Sequence, residues 1–188
     1  MLGINMSNVE TAGTYPRPNP GGYVIKIISA VNNKKKERID IEFDIFEGRF
    51  AGYYQEMQNR LGWHTAKFSK SYKEKALPFL RNFIEVIIGS NGDTSGLVIG
   101  DFEDIDETKL VGKKLGMIVG EAEYWGGDGI KKKKLDFYNA DFVTIDTIHS
   151  GNYRIPEFKP LQNPEPPSAE VIDTTANFGP VTDDDMPF

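Results

Sequence analysis

Apolar and polar side chains alternate along the first part of this chain in the pattern of β-strands. Residues 23–31 (YVIKIISAV) are β-branched and apolar, which predicts a first strand that begins at a Gly-Gly bend. Over residues 39–45 isoleucine and phenylalanine alternate with acidic residues, so the apolar set should face a core and Asp40, Glu42 and Asp44 the solvent. Residues 50–55 predict a third strand, and the short turns predict an antiparallel meander.

A helical period replaces the strand pattern further along. Apolar side chains recur there at the spacing of one helix face: Leu77, Leu80, Phe83, Ile84 and Ile87. Pro78 suits the first turn of such a helix, and Gly89 predicts its end. Ser71 and Glu74 could instead form a capping box, which would start the helix earlier and place a kink at Pro78.

Strand patterns return at residues 113–125 and 135–146, after an acidic, glycine-rich loop over 91–109. Gly-Gly-Asp-Gly at 126–129 predicts a hairpin between them. The order β-β-β-α-β-β predicts a mainly β protein, a five-stranded antiparallel barrel with one helix between strands 3 and 4. That is the layout of the oligonucleotide/oligosaccharide-binding fold, which holds its ligand with the loops between strands 1 and 2 and between strands 4 and 5.

Dense basic clusters fall in these two predicted loops. They contain Lys34, Lys35, Lys36 and Arg38 in the first loop, and Lys131, Lys132, Lys133 and Lys134 in the second. A single lysine run is usually a solvated loop tip, but two runs on both ligand loops favour a polyanionic ligand. Single-stranded nucleic acid also needs aromatic rings on which bases stack, and Tyr54, Trp63 and Trp125 are the candidates for that role. Single-stranded DNA is therefore the expected partner.

The composition argues against a metal-dependent, cofactor-dependent or enzymatic function. With no cysteine and only two histidines, we expect no metal site and no cofactor. Asp101, Glu107 and Lys109 faintly echo a magnesium-dependent nuclease core, but that chemistry needs them on adjacent strands and they fall in a predicted loop. We expect no enzymatic activity. A nuclease or recombination factor, and a protein-binding adaptor built on the same barrel, are the alternatives.

The net charge of −6 lies entirely in residues 160–188, which contain six acidic and no basic side chains. Proline is concentrated there as well, so we expect residues 155–182 to form a disordered linker. Residues 1–20 predict an irregular arm and residues 21–154 the folded domain. The start is not a signal peptide and no apolar run is long enough to span a membrane, so we expect a cytoplasmic protein.

The last residues form a distinctive motif of an acidic run, a hydrophobe, proline and phenylalanine: Asp183, Asp184, Asp185, Met186, Pro187 and Phe188. This tip strongly resembles the tail of bacterial and bacteriophage single-stranded DNA-binding proteins. Segments 22–23, 39–48 and 111–116 are similar to Gram-positive phage versions of these proteins.

The resemblance implies a protein that coats single-stranded DNA in phage replication, recombination and repair. It further implies that the tip recruits host or phage proteins. The ring and terminal carboxylate of Phe188 would dock in a partner's pocket, Pro187 and Met186 would line it, and the acidic run would meet basic residues at its rim. We also expect a homo-oligomer in the cytoplasm of the bacterial host.

Overall fold

Seven strands and three α-helices make up the part of the chain that the computed structural model describes, residues 16–62, 64–97 and 106–161. The strands are β1 (Gly21–Asn33), β2 (Arg38–Ile45), β3 (Lys67–Ser71), β4 (Lys114–Val119), β5 (Glu121–Trp125), β6 (Lys131–Leu135) and β7 (Asp141–Val143). The helices are α1 (Tyr53–Leu61), α2 (Leu77–Asn91) and α3 (Ile145–Ser150).

Five antiparallel strands form a curled sheet, a half-barrel, in the order β3-β2-β1-β4-β7. The long strand β1 lies at its centre and pairs with β4 through its first half and with β2 through its second half. A bulge between Ile27 and Ser29 interrupts the β1–β2 register, and such bulges bend a strand and increase its twist. One strand can therefore serve both halves of the curled sheet.

The predicted burial is confirmed for the apolar side chains of β2 and for most of those of α2. Ile39, Ile41, Phe43 and Ile45 point into the core, and each is at most 3% exposed. Four of the five apolar side chains predicted for α2 cover the same core after β3, whereas Leu77 is 43% exposed; Pro78 lies in the first turn. Phe43 contacts the rings of Tyr54, Phe68 and Phe137, with centroids 5.1–5.8 Å apart. Burial of these rings and of the aliphatic side chains around them stabilises the fold.

The predicted third strand over residues 50–55 is wrong, because the chain there turns into α1. Asp44 supplies the physical reason: its carboxylate accepts backbone N–H bonds from Tyr54 and Gln55 at the start of that helix. A carboxylate at a helix N-terminus satisfies free N–H groups and favours the helix. Asp44 is consequently 4% exposed, so its prediction as part of a solvent-facing stripe is also wrong. The third strand is β3.

Gly89 does not end α2, which continues to Asn91 and ends at Gly92 in a positive-φ conformation (φ 56°). A Cβ at Gly89 would lie 3.1 Å from the side chain of Thr144, between β7 and α3. A glycine is therefore suited to this position because α2 packs closely against the connection between β7 and α3, and not because the helix ends there.

The long strand predicted over 113–125 is divided at Gly120 into β4 of the half-barrel and β5 of a separate hairpin. A Cβ at Gly120 would lie 3.0 Å from the carbonyl oxygen of Pro156, so the returning chain crosses there. Beyond Pro156 the chain runs parallel to β5, where Lys159 exchanges backbone hydrogen bonds with Glu121 and Glu123. The first residues of the predicted linker thus lie along the hairpin.

Several predictions fall outside the described residues. These are the first fifteen residues of the arm, Trp63, Asp101, and residues 162–188 with the tip at Asp183–Phe188. Within the described ranges, no helix has the length and apolar character needed to cross a membrane.

Candidate nucleic-acid interface

The second basic cluster lies in the β5–β6 hairpin, where it forms a strand rather than the predicted loop. The turn over 126–129 is confirmed, but the four lysines form β6, where each is exposed. Lys131 pairs with Trp125 across the hairpin, and the last pair of the ladder is Leu135 with Glu121. Because successive side chains of a strand point to opposite faces, the lysine run is divided between the two faces of the hairpin.

One face of the hairpin combines Trp125 with balanced charges. The ammonium group of Lys131 lies 5.3 Å from the centroid of the Trp125 ring, and Lys133 forms a 3.2 Å ion pair with Glu121. Glu123 lies opposite Lys133 in the register. Trp125 is half-buried, and its indole N–H has no hydrogen-bond partner within the described part of the chain. The indole nitrogen is itself buried, so a ligand would have to contact the exposed part of the ring instead.

The opposite face of the hairpin carries Tyr124, Lys132 and Lys134, and it has the greater excess of positive charge. Lys134 lies 5.2 Å from the Tyr124 ring centroid and forms no ion pair with any described residue. Lys132 contacts Asp128 at 2.7 Å. The hydrogen bond from the Lys132 ammonium lowers the pKa of Asp128 and raises the pKa of Lys132. Sequence reasoning missed this face, although cross-strand pairing would have separated the lysines into two sets.

The first basic cluster forms a short 3-10 turn, Lys34–Lys36, between β1 and β2. Asn33 caps this turn, and Glu37 follows it with a positive φ of 50°. The ammonium groups of Lys34 and Lys35 are exposed and have no partner within the described ranges. They are free to bind an anion.

Arg38 differs from the lysines of this cluster because it already faces a carboxylate. Its Nε lies 2.8 Å from Asp40 Oδ1, an electrostatic contact rather than a well-aligned hydrogen bond. Glu42 on the same strand contacts Lys67 of β3 at 2.7 Å. The outer face of β2 and β3 is therefore close to neutral, and the acidic side chains that remain there are paired.

The two clusters are not brought together. The Lys34–Lys36 turn follows the last residue of β1, whereas the hairpin follows β4 beyond the pairing of Val119 with Gly21 at the start of β1. A straight strand of that length would span roughly 40 Å, and the bulge and curl of β1 make the separation of the two clusters shorter than that.

The prediction that Tyr54 stacks on bases is wrong. Tyr54 is 6% exposed and packs against Phe43 and Phe137, so neither face of its ring is free. Burial raises the pKa of its hydroxyl, and Tyr53 and Asp44 add to that rise.

No protein-family model matches this chain, and no curated protein matches it either. The geometry of the described residues is therefore the basis for assigning a function.

The three residues of the alternative nuclease prediction lie only partly within the described chain. Glu107 and Lys109 lie on a short 3-10 turn before β4, and Asp101 lies outside the described residues. Among the residues that the structure describes, no group of three or more histidine or carboxylate side chains could hold a metal ion.

Proposed function

We propose that the protein binds and coats single-stranded DNA with an oligonucleotide/oligosaccharide-binding fold. The observation that carries the proposal is the strand order β3-β2-β1-β4-β7 with α2 between β3 and β4. With β7 counted as the fifth strand, Lys34–Lys36 lie in the loop between strands 1 and 2. The β5–β6 hairpin then becomes an elaborated loop between strands 4 and 5, and both loops bind the ligand in this fold.

The side chains of these loops support single strands rather than duplex as the ligand. Free ammonium groups at Lys34 and Lys35 can contact phosphates, and the rings of Tyr124 and Trp125 lie beside lysines of β6. Unpaired bases can stack on such rings, whereas the bases of a duplex are already stacked on one another. Binding of this kind tolerates any sequence.

Titration of the protein with labelled oligo-dT, monitored by fluorescence anisotropy, tests the proposal. We expect binding that weakens as salt rises, weaker binding to a matched duplex, and no cleavage when Mg²⁺ is added. No binding of oligo-dT at low salt would overturn the proposal. Cleavage that depends on Mg²⁺ would favour a nuclease instead.

We further propose that the Asp183–Phe188 tip recruits replication or recombination proteins of the phage or its bacterial host, in the cytoplasm. Its support is the resemblance of the sequence motif, together with the suitability of one aromatic anchor and steering charges for exchangeable binding. A pull-down from host lysate should recover partners with the wild type and with Phe178→Ala, but not with Phe188→Ala. Equal recovery with both variants would contradict this role.

A further inference from the structure

Lys26 of β1 and Lys114 of β4 lie side by side on the outer face of the half-barrel. They are direct cross-strand partners in the β1–β4 register, and Lys26 faces Asp44 of β2 on its other side. Ile25 and Leu115, their neighbours in sequence, are fully buried in the core. Alternation along each strand therefore directs both lysines away from the core.

The carboxylate beside this pair is occupied. The Asp44 oxygens accept hydrogen bonds from three backbone N–H groups at 2.8–3.1 Å, those of Ile45, Tyr54 and Gln55. No ion pair joins Lys26 or Lys114 to a carboxylate within the described residues, and Lys26 makes no other polar or ring contact there. Asp44 keeps its negative charge beside Lys26 without forming an ion pair with it, so the two ammonium groups and this carboxylate leave a net charge of +1.

Like charges directly opposite each other on neighbouring strands destabilise a sheet. Lys26 and Lys114 bear that cost between β1 and β4, and Asp44 on the β2 side of Lys26 offsets part of it. A phosphodiester carries one negative charge, so it would neutralise the net charge of +1 that the two ammonium groups and Asp44 leave. The arrangement therefore favours anion binding.

A concave pocket of about 210 Å³ adjoins the pair, between β1, the end of β2 and the start of α1. Its lining residues include Lys26, Ile28, Phe46 and Gln55, and also Asp44, whose carboxylate is held by the three backbone N–H groups. Phe46 is 38% exposed, and the Lys114 ammonium lies 3.6 Å from the centroid of its ring. The aromatic ring thus holds one cation beside the pocket while Lys26 lines it.

We infer that Lys26 and Lys114 form a binding site for a phosphate group, with Gln55 as a further donor beside it. The inference rests on the proposed function for the source of that phosphate, a phosphodiester of the bound strand. β1 connects the two basic clusters, and Lys26 lies between them along it. A free nucleotide or pyrophosphate presents the same chemistry and is the other source.

A double variant, Lys26→Met/Lys114→Met, tests the site because methionine keeps the length and apolar character of the lysine stems. Lys75→Met/Arg81→Gln is the control, since it removes two exposed positive charges, Lys75 just before α2 and Arg81 within it, where Arg81 pairs with Glu85. Oligo-dT affinity is measured for all three proteins over a salt series. We expect a loss of about tenfold for the test variant, and a salt slope smaller by about 0.7, the value for one phosphate of a single strand. Thermal melting in the absence of ligand should show the test variant at least as stable as the wild type.

The outcomes separate this inference from the proposed function. Wild-type binding of oligo-dT with equal affinities for the test and control variants would overturn the inference and leave the proposed function intact. If the wild type fails to bind oligo-dT, thermal melting with sodium pyrophosphate tests whether Lys26 and Lys114 bind a free phosphate group. Stabilisation of the wild type but not of the test variant would support the site with a free phosphate ligand, and equal responses would overturn it.

Discussion

The half-barrel and the β5–β6 hairpin differ in how deeply their side chains are buried and in how their charges are paired. The half-barrel buries a continuous apolar core, and the charges on the outer face of β2 and β3 are paired. In the hairpin, by contrast, none of residues 121–135 is buried, and four lysines lie in one strand beside two exposed or half-buried aromatic rings. We therefore expect stability to depend on the core of the half-barrel, and ligand binding on its exposed lysines and on the two appended basic clusters.

The largest expected effect is on the core of the half-barrel. Phe43→Ala should reduce the free energy of unfolding by about 3–5 kcal/mol, because it removes a fully buried ring that contacts three others. Urea denaturation measures the change. Phe79→Ala is the matched control, since Phe79 is 73% exposed, and its effect should stay within about 0.5 kcal/mol. Equal losses for the two variants would contradict the assigned core.

Next in size is the contribution of the two hairpin rings to DNA binding. Tyr124→Ala or Trp125→Ala should cost about 1–3 kcal/mol in oligo-dT affinity, whichever ring stacks on a base, without unfolding the protein. Because the two rings occupy opposite faces, one variant should lose far more affinity than the other. The more positive face favours Tyr124 as the stacking ring. Unfolding of either variant would mean that the hairpin supports the fold.

A buried charge in the half-barrel should respond to pH in a way that the hairpin lysines do not. Lys70 lies 4.1 Å from the ring centroid of Phe142 and 5.2 Å from that of Phe83. Burial lowers its pKa to about 8, although Asp141 opposes this shift. Below pH 8 the folded and unfolded states are both charged at this position, so the cost of burying the charge is fully present.

Above that pH the folded state loses its proton first, and stability should rise until the unfolded lysine also titrates near 10.5. From pH 7 to pH 9.5 the gain should be about 1–2 kcal/mol relative to Lys70→Met, which has no such group. Urea denaturation at both pH values measures it. A constant difference between the two proteins would show that Lys70 keeps its ordinary pKa.

The smallest expected effect separates two neighbouring lysines of β6. Lys134 has no ion pair in the described structure, whereas Lys133 faces Glu121 at 3.2 Å. Lys134→Gln should therefore weaken oligo-dT binding more than Lys133→Gln does, by a few tenths of a kcal/mol up to about 1 kcal/mol. Anisotropy at low salt resolves this difference. The reverse order would place the DNA on the Trp125 face.

Sequence patterns predicted those elements in which burial alone determines the structure. Apolar residues recur at every second position in β2 and at helical spacing in α2, because these side chains must reach the core. The helix α1 has no such face, because only Tyr54 among its residues is buried. It depends on Asp44, ten residues before Tyr54, and no local pattern reveals that contact.

The site was predictable in composition but not in geometry. The lysine run and its turn are visible in the sequence, yet their pairing with Glu123, Tyr124 and Trp125 depends on strand register. Lys26 and Lys114 are 88 residues apart in sequence, and only the β1–β4 pairing makes them neighbours. Register depends on the packing of the whole sheet, so local sequence cannot give it.

The salt dependence of oligo-dT binding is the most direct test of the claim that the appended basic clusters bind DNA. For the wild type, contacts with about four to six phosphates predict a slope of log K against log salt near −3 to −4. Replacing Lys131, Lys132, Lys133 and Lys134 with glutamine should flatten that slope by about 1.4, the value for the two phosphates that one face of the hairpin can contact, and leave the free energy of unfolding unchanged. An unchanged slope in this variant, or a wild-type affinity that does not depend on salt, would contradict the account.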